Sequence, residues 1–525
     1  MTSTAPEAER LDVAARVGEK NISRLTASIQ ASGPPLETIA TFTGKPFAHV
    51  PQSTAADVVA AFETARAAQR EWASVTPKER SKIFVGLHDR VIAHPHMIDL
   101  IQAETGKSRY SAFEETLDVA GLALYYGRNA PRFLRTRKRK GALPLATRVR
   151  EHRRPKGVVA IISPFNYPLS LGVCDVIPAL LAGNAVVHKP DSQTALTALH
   201  ARELLIDAGL PADLWQIVVG APDEVGPLLI EHADHICFTG STASGKRIAE
   251  AAAGRLIGCT LELGGKNPML VLEDADLDKA AAGAVRACFS TTGQLCLSIE
   301  RLYVRAEIYD TFVSKLVDRV EQITLGSGFD FSYDIGSLSS QRQLDTVRRQ
   351  VDEARSLGAN ILAGGRPRPD LGPFYYEPTI LTQVTEDMEI FSKETFGPVV
   401  SIYKVNSDGD AVTAAERSEF GLNASIWTRD EARARSLADR IHCGTVNINE
   451  GYASAYASND ATMGGMKSSG QGRRHGEVGL HEYTELQTVA SQRLIGFDPP
   501  ESVTLEENSR RLTAMYKLMK KLRLK

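Results

Sequence analysis

At 525 residues the chain exceeds what one hydrophobic core organises, so two or three packed units are expected. Its 43% apolar and 24% charged residues describe an ordinary soluble protein, and a net charge of −2 argues against nucleic acid as a partner. No apolar run of about 18 residues offers a membrane span, and the polar opening Met1–Arg10 lacks the apolar core of an export signal, so a cytoplasmic protein is expected.

Residues 1–30 are polar and read as an N-terminal surface extension. Thr43-Gly44-Lys45-Pro46 to Gln52 reads as a turn with short strands. After Ser53-Thr54, which suit a helix cap, the apolar spacing is helical from Ala55 to Trp72, and further helices are expected over 79–93 and 97–105. The acidic pair Glu114-Glu115 belongs to a helix reaching Ala120–Tyr126 and is expected on its solvated face. The basic stretch Arg132–Lys140 is expected in a solvated loop or arm.

From Gly157 the texture changes. Val158–Ile162 and Ala185–Lys189 are short apolar runs bounded by Gly and Pro, as buried parallel strands are. Helices over 176–182 and 194–208 alternate with them, and strands follow at Trp215–Val219 and His235–Thr239. The pattern predicts a doubly wound α/β sheet, the kind that binds dinucleotides at its strand ends. No G-x-G-x-x-G follows these strands. Instead Phe238-Thr239-Gly240-Ser241-Thr242-Ala243-Ser244-Gly245 leaves a strand and opens a helix, which suits an anion or simply caps the helix. A second α/β unit runs through Arg301–Val304, a helix over 308–323, and strands at Phe374–Leu381 and Pro398–Val405. Met463–Arg473 is a glycine-rich turn, and a strand ends near Val489-Ala490. In the tail, Arg510–Lys525 spaces Leu512, Met515, Leu518, Met519 and Leu522 as one helix face among lysines and arginines. That face suits an oligomer contact or, less commonly, an anionic membrane surface.

Chemistry concentrates between Thr260 and Ile299. Glu262 stands 34 positions before Cys296, both among glycines and small residues. A thiol is the most nucleophilic ordinary side chain, and a glutamate can take a proton from the thiol, from water, or from both in sequence. Taken alone, each residue also fits a bland role, a buried small hydrophobe and a surface charge. The six cysteines show no C-x-x-C pairing and H-E-x-x-H is absent, so no metal site is expected.

Six segments together carry a resemblance: Ser163-Pro164-Phe165-Asn166-Tyr167-Pro168, Val187-His188-Lys189-Pro190, Phe238–Thr242, Leu261–Lys266, Gly293-Gln294-Leu295-Cys296 and Glu394–Pro398. In that order they resemble the aldehyde dehydrogenase superfamily over roughly Thr41 to Ala490. Arg286–Ser290 and Asn449–Ala453 are most similar to the NADP-type succinate-semialdehyde dehydrogenases of actinobacteria. The resemblance implies a Rossmann-type cofactor domain (31–133 and 155–261), a second α/β catalytic domain (262–455) and a β-arm for oligomerisation (134–154 and 480–495), followed by the basic tail 496–525. Homodimers or homotetramers are implied with it.

It further implies oxidation of a small-molecule aldehyde by NADP, with NAD also possible. Cys296 would attack the aldehyde, Asn166 and the Cys296 N–H would hold the oxyanion, and Glu262 would activate the water that releases the acid. For the cofactor it implies Lys189 at the adenosine ribose, Gly240 and Ser241 at the pyrophosphate, Glu394 at the nicotinamide ribose, and Phe396 beside the ring, with Phe165, Asn166 and Leu263 completing the set. Ser192 stands where NAD-preferring relatives carry a glutamate, which removes a repulsion toward a 2′-phosphate. Lys266 is expected to be structural. The two arginines that hold the carboxylate in well-understood succinate-semialdehyde dehydrogenases correspond to Cys174 and Ser290. Either Arg286 or Arg301 takes their place, or the aldehyde is a medium-chain or aromatic one. A non-catalytic binding or structural relative is the reading from another class.

Overall fold

The apolar runs at 158–162, 185–189 and 235–239 are neighbouring parallel strands, almost wholly buried. The structure, a computed structural model, describes residues 12–142, 146–493 and 498–523. Within the expected segments, 1–11 of the extension, 143–145 and 494–495 of the arm, and 496–497 and 524–525 of the tail lie outside the described residues.

The first sheet has six strands in the order Gly470–Gln471, Gly258–Glu262, His235–Thr239, Val158–Ile162, Ala185–Lys189, Trp215–Ile217. All pair in parallel except the first, a two-residue edge from far down the chain that sets Gly470 opposite Glu262. The second sheet has seven strands in the order Asn360–Ala363, Thr379–Thr382, Val399–Val405, Ile299–Arg305, Asn267–Val271, Asn423–Trp427, Thr445–Ile448, with only the first antiparallel. Helices carry the crossovers. Thr54 and Asp57 cap Ala55–Trp72 reciprocally, and Thr76 and Glu79 do the same for Pro77–Ala93. A third sheet of three antiparallel strands joins Thr484–Gln492, Thr147–Pro155 and Arg137–Arg139.

Three expectations are corrected. The part of 1–30 that is described is no loose extension: helices Val13–Val17 and Glu19–Thr26 bury Val13, Val17, Ile22 and Leu25 in the core around the first sheet. Their i,i+4 and i,i+3 spacing is the signal, diluted by polar neighbours. The strand expected over 374–381 is only Thr379–Thr382, because Pro378 has no N–H for a ladder. Glu115 is not solvated at all (0% exposed). In the tail, Thr504 caps the helix Leu505–Lys521, where Met519 is buried, Leu512 and Met515 are half-buried, and Leu518 and Leu522 are exposed. No helix among the described residues is long and apolar enough to cross a membrane.

Candidate active site

Cys296 follows a stretch of backbone under unusual constraint. Thr291, Thr292 and Gly293 all hold left-handed φ angles of 51°, 56° and 70°. A Cβ on residue 293 would meet the Gly397 carbonyl oxygen at 2.0 Å, so only glycine fits. Such strain persists only where the surroundings hold it, and here they do. Asn267 Nδ2 donates to the Cys296 carbonyl at 2.7 Å, and Gly265 offers the space for that carbonyl, since a Cβ there would sit 2.6 Å from it. The Leu-Gly-Gly-Lys turn and the cysteine loop are thus locked together. Cys296 is partly open to a cleft yet enclosed by protein elsewhere, and burial, with Glu262 and Glu394 adding negative charge, pushes its thiol up to about 12.

Glu262 ends the strand Gly258–Glu262 and is 2% exposed. Neither carboxylate oxygen has a hydrogen-bond partner within the protein. Burial lifts its pKa to about 7, opposed by the Arg474 charge and reinforced by Asp175. Those last two form a buried ion pair: Arg474 donates to both Asp175 oxygens, at 3.0 and 2.5 Å, and to Thr239 at 2.5 Å, while the Tyr483 hydroxyl donates to Asp175 at 2.8 Å. Beside Glu262, Gly464 approaches closely enough that a Cβ would meet Oε1 at 3.1 Å.

Asn166 is buried, and its amide donates to the Gln294 carbonyl at 3.0 Å, which ties it to the cysteine loop. Beneath it lies the second buried pair. Lys107 donates to Glu115 at 2.5 Å and to the Asn166 carbonyl at 2.7 Å, with its ammonium 3.8 Å from the Tyr167 ring centre. Glu115 in turn accepts the Leu169 and Ser170 N–H groups at 2.9 and 3.0 Å. A third pair, Lys266 and Glu300, serves Glu394–Phe396: Glu300 accepts the backbone N–H groups of Thr395 and Phe396. That fixes Phe396, whose φ is 52°, with its ring edge-on to Phe165 at 6.0 Å. Glu394 accepts the Gly265 N–H at 2.8 Å, and burial followed by Glu300 raises its carboxyl to about 8.

One cleft of about 810 Å³ touches nearly all of these groups. Its lining includes Phe165, Asn166, Lys189, Gly240, Ser241, Glu262, Leu263, Cys296, Glu394 and Phe396. Ser192 is the exception: its hydroxyl turns to the Gly220 carbonyl at 3.4 Å, and the neighbouring Asp191 faces the cleft instead. Ser241 caps the helix Thr242–Gly254 by accepting the Ser244 N–H, and Ser241, Ser244 and Arg247 all line the cleft. A helix N-terminus with a cation nearby suits an anion such as a pyrophosphate. With a buried carboxylate for ribose hydroxyls and an aromatic ring at the other end, this lining fits a nicotinamide dinucleotide lying toward Cys296.

The substrate side departs from a two-arginine carboxylate site. Cys174 is buried, with its thiol toward the Leu171 carbonyl at 3.7 Å. Arg301, on the second-sheet strand Ile299–Arg305, is buried and donates to the carbonyls of Lys266, Ala414 and Ala415, and so is withdrawn from any substrate. Ser290 and Arg286 share a second cavity of about 330 Å³. Sequence reading missed Lys107, Glu115, Asp175, Arg474 and Glu300 because each acts through a partner outside its own motif. Arg474 and Asp175 lie 299 positions apart.

A model of the aldehyde dehydrogenase family matches residues 29–489. A Mycolicibacterium smegmatis protein, provisionally named an NADP(+) succinate-semialdehyde dehydrogenase, is 48% identical over 93% of this chain and 94% of its own length. A Mycobacterium tuberculosis protein with the same provisional name is 49% identical over 94% and 95%. Among solved structures, an Escherichia coli NADP-dependent enzyme matches with a TM-score of 0.85 at 31% identity over 90% of this chain and 99% of that one. Staphylococcus aureus betaine aldehyde dehydrogenase in complex with NAD+ matches at 0.86 and 29%, over 92% and 99%. The chain belongs to the aldehyde dehydrogenase family.

Proposed function

We propose that the protein oxidises succinate semialdehyde to succinate with NADP as the hydride acceptor. The observation that carries the chemistry is the convergence of Cys296, Glu262 and Asn166 on the cleft that also holds Glu394 and Phe396. Cys296, once deprotonated, attacks the aldehyde carbon. The resulting oxyanion takes the Asn166 amide and the Cys296 N–H as donors, each typically contributing about 10²–10³ in rate. The bound nicotinamide supplies the hydride acceptance that leaves an acyl group on the sulfur. Glu262, ionised, takes a proton from the water that hydrolyses this thioester.

The cofactor would be held by Phe165, Lys189, Gly240 and Ser241 from the segment 155–261 and by Leu263, Glu394 and Phe396 from 262–455, which also supplies the nucleophile. Lys189 and Arg247, together with the lack of a glutamate at 192, support NADP, as do the names of the relatives above; Asp191 and Asp223 on the same lining leave room for NAD. We assign homodimers or homotetramers to the three-stranded arm and a cytoplasmic location to the chain.

Initial rates over an aldehyde panel with each cofactor test the reading. The second reading, a medium-chain or aromatic aldehyde, is favoured by Cys174 and Ser290, neither of which can form a charged fork with a carboxylate. A tenfold preference for hexanal or benzaldehyde over succinate semialdehyde would establish it in place of the first.

A further inference from the structure

We propose that Arg286 binds the distal carboxylate of the substrate, with the hydroxyls of Ser290 and Tyr452 beside it, so that the carboxylate site has moved from the two arginine positions to the end of one helix. This rests on the succinate-semialdehyde reading and deepens it.

Arg286 lies in the last turn of the helix Leu277–Phe289, which feeds directly into the strained loop carrying Ser290 at one end and Cys296 at the other. Its side chain borders the 330 Å³ cavity together with Ser290, Phe289 and Glu114. The guanidinium stands 5.9 Å from the centre of the Tyr452 ring, and the Tyr452 phenol is within reach of the Ser290 side chain. Tyr452 is buried beside Tyr167, whose hydroxyl bonds Thr291 at 2.8 Å and which follows the oxyanion residue Asn166. Contacts therefore lead from Arg286 through Tyr452 and Tyr167 to Thr291, five positions before Cys296, and to the neighbour of Asn166.

The guanidinium is only partly spent. One of its nitrogens donates to Glu114 at 2.8 Å, while Glu450, which also acts on its charge, accepts the Ser454 N–H at 3.0 Å. The remaining edge of a planar five-donor group matches a carboxylate, and the tyrosine face underneath holds it flat. Glu114 thus acts as a place-holder that keeps Arg286 extended and competes with the substrate acid. Arg301 cannot substitute, for its donors are consumed by backbone carbonyls. Arg319 lines the same cavity but belongs to the neighbouring helix Tyr309–Val320 and not to the helix that leads into the Ser290 loop.

The test uses full-length enzyme with NADP and compares kcat/KM for succinate semialdehyde with that for butanal, the same chain without the acid. Wild type favours the acid at least tenfold. R286Q lowers that ratio at least tenfold, mainly through KM. R286K restores part of it, E114Q raises it, and R319Q does not change it. A readout independent of turnover is protection: succinate slows iodoacetamide labelling of Cys296 in wild type and not in R286Q. If wild type prefers the acid but R286Q keeps the ratio, or R319Q lowers it instead, the Arg286 assignment is overturned and the substrate reading stands. If wild type prefers butanal, both fall.

Discussion

Replacing Glu262 with glutamine gives the sharpest test of the proposed chemistry, because burial of the native carboxyl gives it a distinct pH dependence. An ordinary glutamate at 4.5 is fully ionised by pH 6.5, whereas burial holds Glu262 near 7. About 9% of it is then ionised at pH 6 and about 91% at pH 8. If ionised Glu262 activates the hydrolytic water, steady-state turnover at pH 6 falls to about a tenth of its alkaline plateau and drops tenfold for each further unit. Pre-steady-state mixing separates the steps: E262Q gives a burst of one reduced cofactor per site, followed by turnover about 10²–10⁴ below wild type. Stability moves the other way. A carboxyl raised from 4.5 to about 7 favours the fold below pH 4.5 and loses that advantage as pH rises to 7. The loss is under about 1 kcal/mol by pH 5 and about 3 kcal/mol by pH 8.5, so E262Q gains roughly 2–3 kcal/mol on wild type across that interval in urea unfolding. A flat wild-type kcat from pH 5.5 to 8.5, or an E262Q enzyme without a burst, would refute the assignment.

With the Cys296 thiol held near 12, its alkylation by iodoacetamide in cofactor-free enzyme should climb with pH through 9 without a plateau. Since Glu262 charge is one cause of that elevation, E262Q should label faster than wild type at pH 8.5 and equally at pH 5.5; slower labelling at pH 8.5 would make Glu262 the base for the thiol instead. K107M strands the buried Glu115 charge, so a loss of about 3–5 kcal/mol in stability and a fall of about 10²-fold in kcat/KM are expected, whereas K107M/E115Q recovers stability more than activity. Removing 505–525 should leave kcat within twofold, and co-sedimentation with anionic vesicles should be equal with and without it if the helix face Leu512, Met515, Met519 is a protein contact.

The regular parts of the chain were legible because their physics is local. Thr54 before an apolar periodicity places a helix start to the residue, and the continuous apolar run at 158–162 marks a strand with no exposed face. The proposed nucleophile and base were legible for a different reason: Cys296 and Glu262 each sit among glycines that the close approach of other backbone demands, as Gly265 and Gly293 show, whereas Asn166 was marked by the resemblance. What escaped depends on distance along the chain. Glu115 looks like half of a solvated acidic pair until Lys107, eight positions earlier, is seen to share its pocket. Ser192 was marked as a cofactor residue because relatives that prefer NAD carry a glutamate there, but here Asp191 lines the cleft and the serine hydroxyl turns to Gly220 at the start of a 3₁₀ turn.

Three buried ion pairs, each holding a different part of the cleft lining, explain why the candidate site keeps so much charge out of water. Lys107–Glu115 grips the backbone of 166–170, Lys266–Glu300 grips that of 395–396, and Asp175–Arg474 sits between Thr239 and Glu262. Burying a pair returns little net stability against apolar packing, since desolvation offsets most of the attraction. An apolar pair of equal volume could not, however, accept two N–H groups of an irregular loop or donate to its carbonyl. Asn166 and Phe396 lie on such loops, where no helix or sheet ladder satisfies the backbone, and the left-handed φ of Phe396 needs a partner that holds its N–H in one place. The charges therefore act as fixed points for backbone that secondary structure cannot fix. This also accounts for why all of these charges but Lys266 stand outside the motifs: a loop shaped for chemistry carries the proposed reacting residue, and a residue that holds the loop still comes from elsewhere in the fold.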